Sequence, residues 1–363
     1  MPRSFINQVK TSSKENLSES SSIKKNPPRV AVTAGDAAGI GAEITLKAIS
    51  DREIRANCQP VVIGDAKFLL EFAGKFGLFD DFTVVKKGEE IPENSGKPVI
   101  YDLANLNEKI ISGEESAVTG RASAEYIEAA VALWKENRVE AIATAPISKK
   151  ALALGGYDFP GHTEFLAYLT DTKDFAMSFF AEKLRVVLLS THVSLVDAIN
   201  LVKKENLARL ILFTNRELER LLQRRVKIAV AGLNPHASEG GMFGAEEASE
   251  ITPAIEECRE KHGIDVSGAY SPDTIFLRGY KGEFDAVVAC YHDQATIAVK
   301  CLSFGASVNV TLGLPLIRTS VDHGTAVDIA GKNVAEASSM KAAINLAAHL
   351  SKQQTKKTSP ERV

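Results

Sequence analysis

The stretch RVAVTAGDAAGIGAEITLKAI, residues 29–49, decides the architecture. Its first five residues form a short β-rich run. Residues 34–41 are a glycine-punctuated turn, and residues 42–49 have helical character. Strand, glycine turn and helix in that order open an α/β unit. The same grammar repeats outward. Strands are predicted at 59–63, 82–86, 97–101, 140–144, 184–190, 226–233, 286–290 and 307–312. Helical patterns lie at 121–137, 196–203, 206–223, 245–262 and 338–351. The runs near 187 and 229 alternate poorly, as strands buried on both faces do. The fold class is therefore α/β, with a largely parallel sheet. Polar residues follow the strand runs, and in such sheets ligands bind beyond the carboxyl ends of strands.

The chain has 363 residues, or roughly two domains at about 150 residues each. Lys and Arg number 43 against 46 Asp and Glu, a net charge of -3 that offers no basic footprint for nucleic acid. No run of 18 apolar residues occurs, so no membrane helix is expected. The cysteines, Cys58, Cys258, Cys290 and Cys301, form no C-x-x-C pair and read as reduced thiols in a cytoplasmic protein. Residues 1–28 are Ser-rich with Lys and Glu between, and read as a disordered extension; residues 351–363 read as a flexible tail.

The glycine loop does not fit the G-x-G-x-x-G dinucleotide fingerprint, because its glycines stand at 35, 39 and 41. It reads either as a structural turn or as a close approach to ligand. Three histidines follow three strand runs: His192 in S-T-H, His236 in G-L-N-P-H and His292 in Y-H-D-Q. Singly, each reads as a hydrogen-bonded structural residue. As a set they suit a divalent metal with open coordination positions. His162 and Thr163 follow Pro160-Gly161, in a turn suited to an anion or to a helix start capped by Thr163. Lys300, Asn309 and Arg318 come after the last histidine, nine or fewer residues apart. Arg318, in the polar turn L-P-L-I-R-T-S, suits a carboxylate or phosphate; a surface ion pair is the alternative.

Seven strings in order carry a resemblance: T-A-G-D-A-A-G-I-G at 33–41, T-A-P-I-S-K at 144–149, G-H-T-E-F-L at 161–166, T-H at 191–192, G-L-N-P-H-A-S-E-G-G at 232–241, Y-H-D-Q at 291–294, and V-N-V-T-L-G-L-P-L-I-R-T-S-V-D-H-G-T-A at 308–326. The chain resembles the 4-hydroxythreonine-4-phosphate dehydrogenase family of vitamin B6 biosynthesis. The resemblance implies a two-domain α/β/α fold like that of isocitrate and isopropylmalate dehydrogenases, with the active-site cleft between domains. The first domain would take residues 29–142 and 305–350, and the second 143–304. It implies a homodimer whose active sites draw on both subunits.

It further implies metal ligands His192, His236 and His292, and substrate contacts from His162, Thr163, Lys300, Asn309 and Arg318. Lys300 and Asp293 would serve the chemistry, Asp293 by orienting an imidazole. The loop His323, Gly324, Thr325, Ala326 and Asp328 is similar to the adenosine-side loop of isopropylmalate dehydrogenases. The expected cofactors are NAD or NADP and one divalent ion: Zn, Co, Mg or Mn. The expected reaction oxidises 4-(phosphooxy)-L-threonine to a 3-oxo acid that decarboxylates to 3-amino-2-oxopropyl phosphate. Ala37, Ala42, Ser194, Met242 and Ala295 depart from the commoner family pattern without removing an implied ligand, while the G-D-A-A-G-I-G and P-G-H-T-E strings are similar to a paralogous branch. That branch acts on D-threonate or D-erythronate 4-phosphate, giving dihydroxyacetone phosphate. A non-catalytic metabolite-binding protein is the competing class, and the retained histidines, Lys300 and Arg318 argue against it.

Overall fold

The computed structural model describes residues 26–79, 81–93, 97–303 and 305–355. Twelve strands form one sheet: β1 (Arg29–Thr33), β2 (Gln59–Gly64), β3 (Thr83–Lys86), β4 (Val99–Asp102), β5 (Ala141–Thr144), β6 (Ala176–Ala181), β7 (Leu184–Leu188), β8 (Ile228–Ala231), β9 (Val266–Tyr270), β10 (Ala286–Ala289), β11 (Val308–Leu312) and β12 (Ile317–Ser320). Their spatial order is β3-β4-β2-β1-β5-β12-β11-β6-β7-β10-β8-β9. The six strands from β3 to β12 pair in parallel, and so do the four from β7 to β9. Between these blocks the β12–β11, β11–β6 and β6–β7 pairings are antiparallel. The two parallel blocks therefore run in opposite directions and meet at an antiparallel strip.

That strip corrects the simpler picture of motifs at strand ends. Asn309 lies inside β11, and Arg318, expected in a polar turn, lies inside β12. Register puts Asn309 opposite Ser320 and Phe179, and Ser320 opposite Thr144. Side chains alternate faces along a strand. Asn309, Thr311, Arg318, Ser320 and Thr144 consequently share one face of the sheet.

Burial follows the strand composition. Val30–Val32, Val61–Ile63, Val186–Val187 and Val287–Ala289 are fully buried, as strands covered by helices on both faces must be. The helix Ala117–Lys135 starts with a capping box between Ser116 and Thr119. Its Gly120 lies where a Cβ would meet the Ala151 carbonyl at 1.8 Å, so glycine lets the helix Lys149–Leu154 pack close.

The ends differ from expectation. Pro28, placed in the extension, is buried, and its carbonyl accepts from Gln59 N at 2.9 Å. The last helix, Ser338–Thr355, continues past the expected end, with Ser351 buried. Residues 1–25 and 356–363, the rest of the expected extension and tail, lie outside the described residues. No helix among the described residues is long and apolar enough to cross a membrane.

Candidate functional site

A cleft of about 720 Å³ lies over the antiparallel strip, within the size range of small-molecule sites. His162, Thr163, His192, Asn309, Arg318 and Ser320 line it. Arg318 is its most constrained member, at 3% exposure. Its Nη1 donates to Thr311 Oγ1 at 3.0 Å and its Nη2 to Thr144 Oγ1 at 2.9 Å. Both acceptors are neutral, and its buried Nε has no partner. Burial lowers Arg318 to about 10, partly offset by the Glu164 carboxylate, so it stays charged at neutral pH.

His162 begins the helix His162–Leu169, whose N-cap is Gly161; Thr163 therefore sits in the first turn and is not the cap. Thr163 Oγ1 is 3.4 Å from Thr311 Oγ1. The buried Nε2 of His162 has no partner. Burial first, and then the Arg318 charge, push this imidazole well below its ordinary range, so it is neutral. Asn309 Oδ1 is also buried and unpartnered. A buried polar group without a partner is costly. Here a cation, a ring nitrogen and an amide oxygen stand unsatisfied around one cavity, which is the arrangement expected where ligand completes the bonding.

The histidine trio is only partly assembled within one chain. The rings of His192 and His292 lie 5.7 Å apart, centroid to centroid. Two imidazoles on one tetrahedral ion would sit about 5–5.5 Å apart, given metal–nitrogen bonds of about 2.1 Å. His292 Nδ1 is 2.8 Å from Asp293 Oδ1, which leaves Nε2 to face a ligand. His236 lies on the separate turn Pro235–Glu239, with its ring 6.5 Å from that of Phe243. Among the described residues, no three His, Cys, Asp or Glu side chains come together as a metal group.

Lys300 is also remote from the pair. It shares the helix His292–Leu302 with His292, eight residues along, hence about 12 Å up the axis, and it is exposed. Exposed apolar side chains flank this region: Val193, Leu195 and Val196 after His192, and Met242 and Phe243 after His236.

The glycine loop has a packing role. Gly35, at φ 73°, stands where a Cβ would meet the Pro146 carbonyl at 2.4 Å; a Cβ on Gly39 would meet Thr325 at 2.9 Å. Ile40 N donates to the Thr325 carbonyl at 3.0 Å. The loop thus props the segment holding His323, Gly324, Thr325, Ala326 and Asp328, none of which lines the cleft. Ala326 itself adopts φ 43°, and His323 Nδ1 lies 3.0 Å from the Gly324 carbonyl.

Sequence reading missed Thr144 and Thr311, the two hydroxyls that seat Arg318. Thr144 opens the T-A-P-I-S-K string and Thr311 lies inside V-N-V-T-L, so both were in view as motif letters. Their role appears only once β5, β12 and β11 are neighbours.

Comparison with known proteins identifies the family of the chain. The D-threonate 4-phosphate dehydrogenase of Cupriavidus necator is 45% identical over 325 residues, covering 89% of this chain and 97% of its own length. A crystal structure of a 4-hydroxythreonine-4-phosphate dehydrogenase from Klebsiella pneumoniae is 40% identical, with a TM-score of 0.81 over 89% of this chain and 99% of its own. A second, from Burkholderia phymatum, is 42% identical, with a TM-score of 0.78 over 89% and 98%. The model of the pyridoxal phosphate biosynthetic protein PdxA matches residues 56–347, and the chain belongs to that family.

Proposed function

We propose that this chain is a metal-dependent, NAD(P)-linked dehydrogenase that oxidatively decarboxylates a phosphorylated four-carbon hydroxy acid. The observation that carries it is the buried Arg318 guanidinium, held by two neutral threonines beside the unpartnered Nε2 of His162. Such a cation awaits an anion, and a phosphorylated acid brings two. Arg318, His162, Thr163 and Asn309 would bind and orient the substrate, fixing the geometry for hydride transfer. NAD or NADP would accept the hydride, with the propped loop at residues 323–328 under its adenosine side.

The His192–His292 pair fits a divalent ion, with Asp293 holding the His292 tautomer. Zn, Co, Mg or Mn bound there supplies Lewis acidity at the substrate hydroxyl and at the carbonyl formed from it. One copy leaves out a third imidazole and a lysine, because His236 and Lys300 stand apart from the pair. A homodimer with shared active sites supplies both, and the exposed apolar side chains beside His192 and His236 support such an interface. A division into two parts is supported by the two parallel blocks of the sheet, but a boundary at 142/143 falls inside β5 (Ala141–Thr144), which pairs along its whole length with β1 and β12, so the crossing lies after Thr144. A cytoplasmic location is supported by the cysteines: all four are unpaired.

The first substrate reading is 4-(phosphooxy)-L-threonine, yielding 3-amino-2-oxopropyl phosphate, as in pyridoxal 5'-phosphate formation. A second, D-threonate or D-erythronate 4-phosphate yielding dihydroxyacetone phosphate, is favoured by the name of the Cupriavidus relative. The two differ by an amine against a hydroxyl. The test is kcat/KM for each substrate with the purified enzyme, metal and NAD. Turnover of either supports the reaction class, and the larger kcat/KM assigns the branch. No turnover of any of the three sinks the proposal.

A further inference from the structure

The turn that carries His236 has an unusual backbone. Six consecutive residues adopt positive φ: His236 at 51°, Ala237 at 51°, Ser238 at 67°, Glu239 at 46°, Gly240 at 71° and Gly241 at 98°. Four of them carry a Cβ, and left-handed backbone is disfavoured for such residues. Runs of this kind persist only where the surroundings over-determine them. The run itself is closed by Ser238, whose Oγ accepts from Gly241 N at 2.9 Å and whose carbonyl accepts from Gly241 N at 3.0 Å and Phe243 N at 3.2 Å; the segment that enters it is held by one buried carboxylate, that of Glu247, at 5% exposure. Its Oε1 accepts from Leu233 N at 2.8 Å and Asn234 N at 2.7 Å. Its Oε2 accepts from Asn234 Nδ2 at 2.9 Å. The Asn234 carbonyl in turn accepts from Ala237 N at 3.1 Å, closing the turn around His236.

The same network reaches the other histidine loops. Gln294 donates through Nε2 to the Gly232 carbonyl at 2.7 Å and accepts from Cys290 N at 2.8 Å. Ser190 Oγ donates to the Cys290 carbonyl at 3.2 Å. A set of buried and half-buried hydrogen bonds thus joins the segments just before His192, His236 and His292, and Glu247 is its end at the His236 turn.

We propose that Glu247 is a positioning residue that sets the affinity of the metal site by fixing the left-handed turn presenting His236. This rests on the reading of His236 as a ligand. Glu247 touches neither substrate nor metal. Its carboxylate supplies three acceptor contacts to Leu233 and Asn234, the two residues that lead into the turn, and so fixes where the turn bearing His236 begins. A glutamine would keep a carbonyl for the two backbone donors but would set its amide N–H against Asn234 Nδ2, donor to donor. The turn would then be released without any loss of volume.

The experiment uses the full-length protein, stripped with chelator, with Co²⁺ as probe. Affinity is read by calorimetric titration and the donor set by the visible absorption of bound Co²⁺. Glu247→Gln should weaken Co²⁺ binding ten- to a hundredfold, as loss of outer-shell partners does elsewhere, and should change the absorption band. Asn234→Ser, which keeps both backbone contacts to Glu247 and removes the Nδ2 contacts to Glu247 and to its neighbour Glu246, should weaken it by a smaller factor; it decides the matter if Glu247→Gln does not fold. Glu43→Gln is the control. That carboxylate is also buried, bonded to Lys47 and Ala335 N, on the helix Gly41–Ile49 that follows β1. It should lower thermal stability and leave Co²⁺ affinity unchanged. His236→Ala separates the two ideas. Unchanged binding in His236→Ala overturns the ligand reading. Weak binding in His236→Ala with wild-type affinity and spectrum in the clamp variants overturns the role of Glu247.

Discussion

Replacing Arg318 with methionine should make the ligand-free protein slightly more stable while removing its grip on substrate. Arg318 is almost fully buried and has two neutral partners. Burial lowers it from its ordinary value to about 10, equivalent to roughly 3 kcal/mol against the charged form. Methionine fills a similar volume without that charge. It leaves Thr144 and Thr311 short of a donor, at about 1 kcal/mol each. Both hydroxyls keep a neighbour, Thr319 O at 3.5 Å and Thr163 Oγ1 at 3.4 Å. The net expectation is about 1 kcal/mol of stabilisation, or about 1–2 °C in Tm for a chain of this size.

The ligand arm moves the other way. Two charge-assisted hydrogen bonds contribute about 3–4 kcal/mol together, so the substrate Kd should rise by about 10²–10³-fold. The assay is a thermal melt of wild type and Arg318→Met, with and without a phosphorylated four-carbon acid. Ligand at 100 times Kd adds about 2.7 kcal/mol to the wild type, and that shift should vanish in the variant. A variant that melts several degrees lower without ligand, yet keeps the ligand shift, would show that Arg318 is a structural cation and that the anion-site argument is wrong.

Two further outcomes follow from the same geometry. Because His162 is held neutral, the unfolded chain takes up a proton near pH 6.5 that the folded chain does not, so stability should fall as pH drops below about 6.5. The slope from this one group is at most about 1.4 kcal/mol per pH unit, and His162→Asn should remove it; an unchanged Tm-against-pH curve would contradict a buried neutral imidazole. Gly39→Ala should push the Thr325 segment outward and raise KM for NAD several-fold while leaving Co²⁺ affinity as it was; an unaltered KM would mean that the loop at 323–328 does not hold the cofactor.

Much of the fold was legible because its buried strands are short apolar runs bounded by turn residues. Three strands escaped notice: β6, β9 and β12. β12 reads I-R-T-S, three polar residues in four, and follows a proline, so it resembles a turn. β6 joins β7 through Glu182-Lys183 with Glu182 at φ 52°, a tight hairpin without the Asn-Gly type of signal. Missing this hairpin hid the reversal of direction between the two parallel blocks, since hydrophobic period carries no information about strand direction. The site shows the same limit. Arg318, His162 and the histidines were readable as residue types in motifs. Thr144 was not, because it lies 174 residues from Arg318 in sequence and meets it only through the β5–β12 register. Nor does spacing along a chain reveal that His236 and Lys300 stand apart from the His192–His292 pair.

The most direct test of the central claim is the stoichiometry of turnover in the metal-loaded enzyme. NADH or NADPH formation and carbon dioxide release would be measured together on 4-(phosphooxy)-L-threonine, D-threonate 4-phosphate and D-erythronate 4-phosphate. The expected result is one reduced nicotinamide and one carbon dioxide per substrate for at least one of them, abolished by chelator and restored by a divalent ion. Reduced nicotinamide without carbon dioxide, turnover indifferent to chelator, or no turnover on any of the three would contradict it.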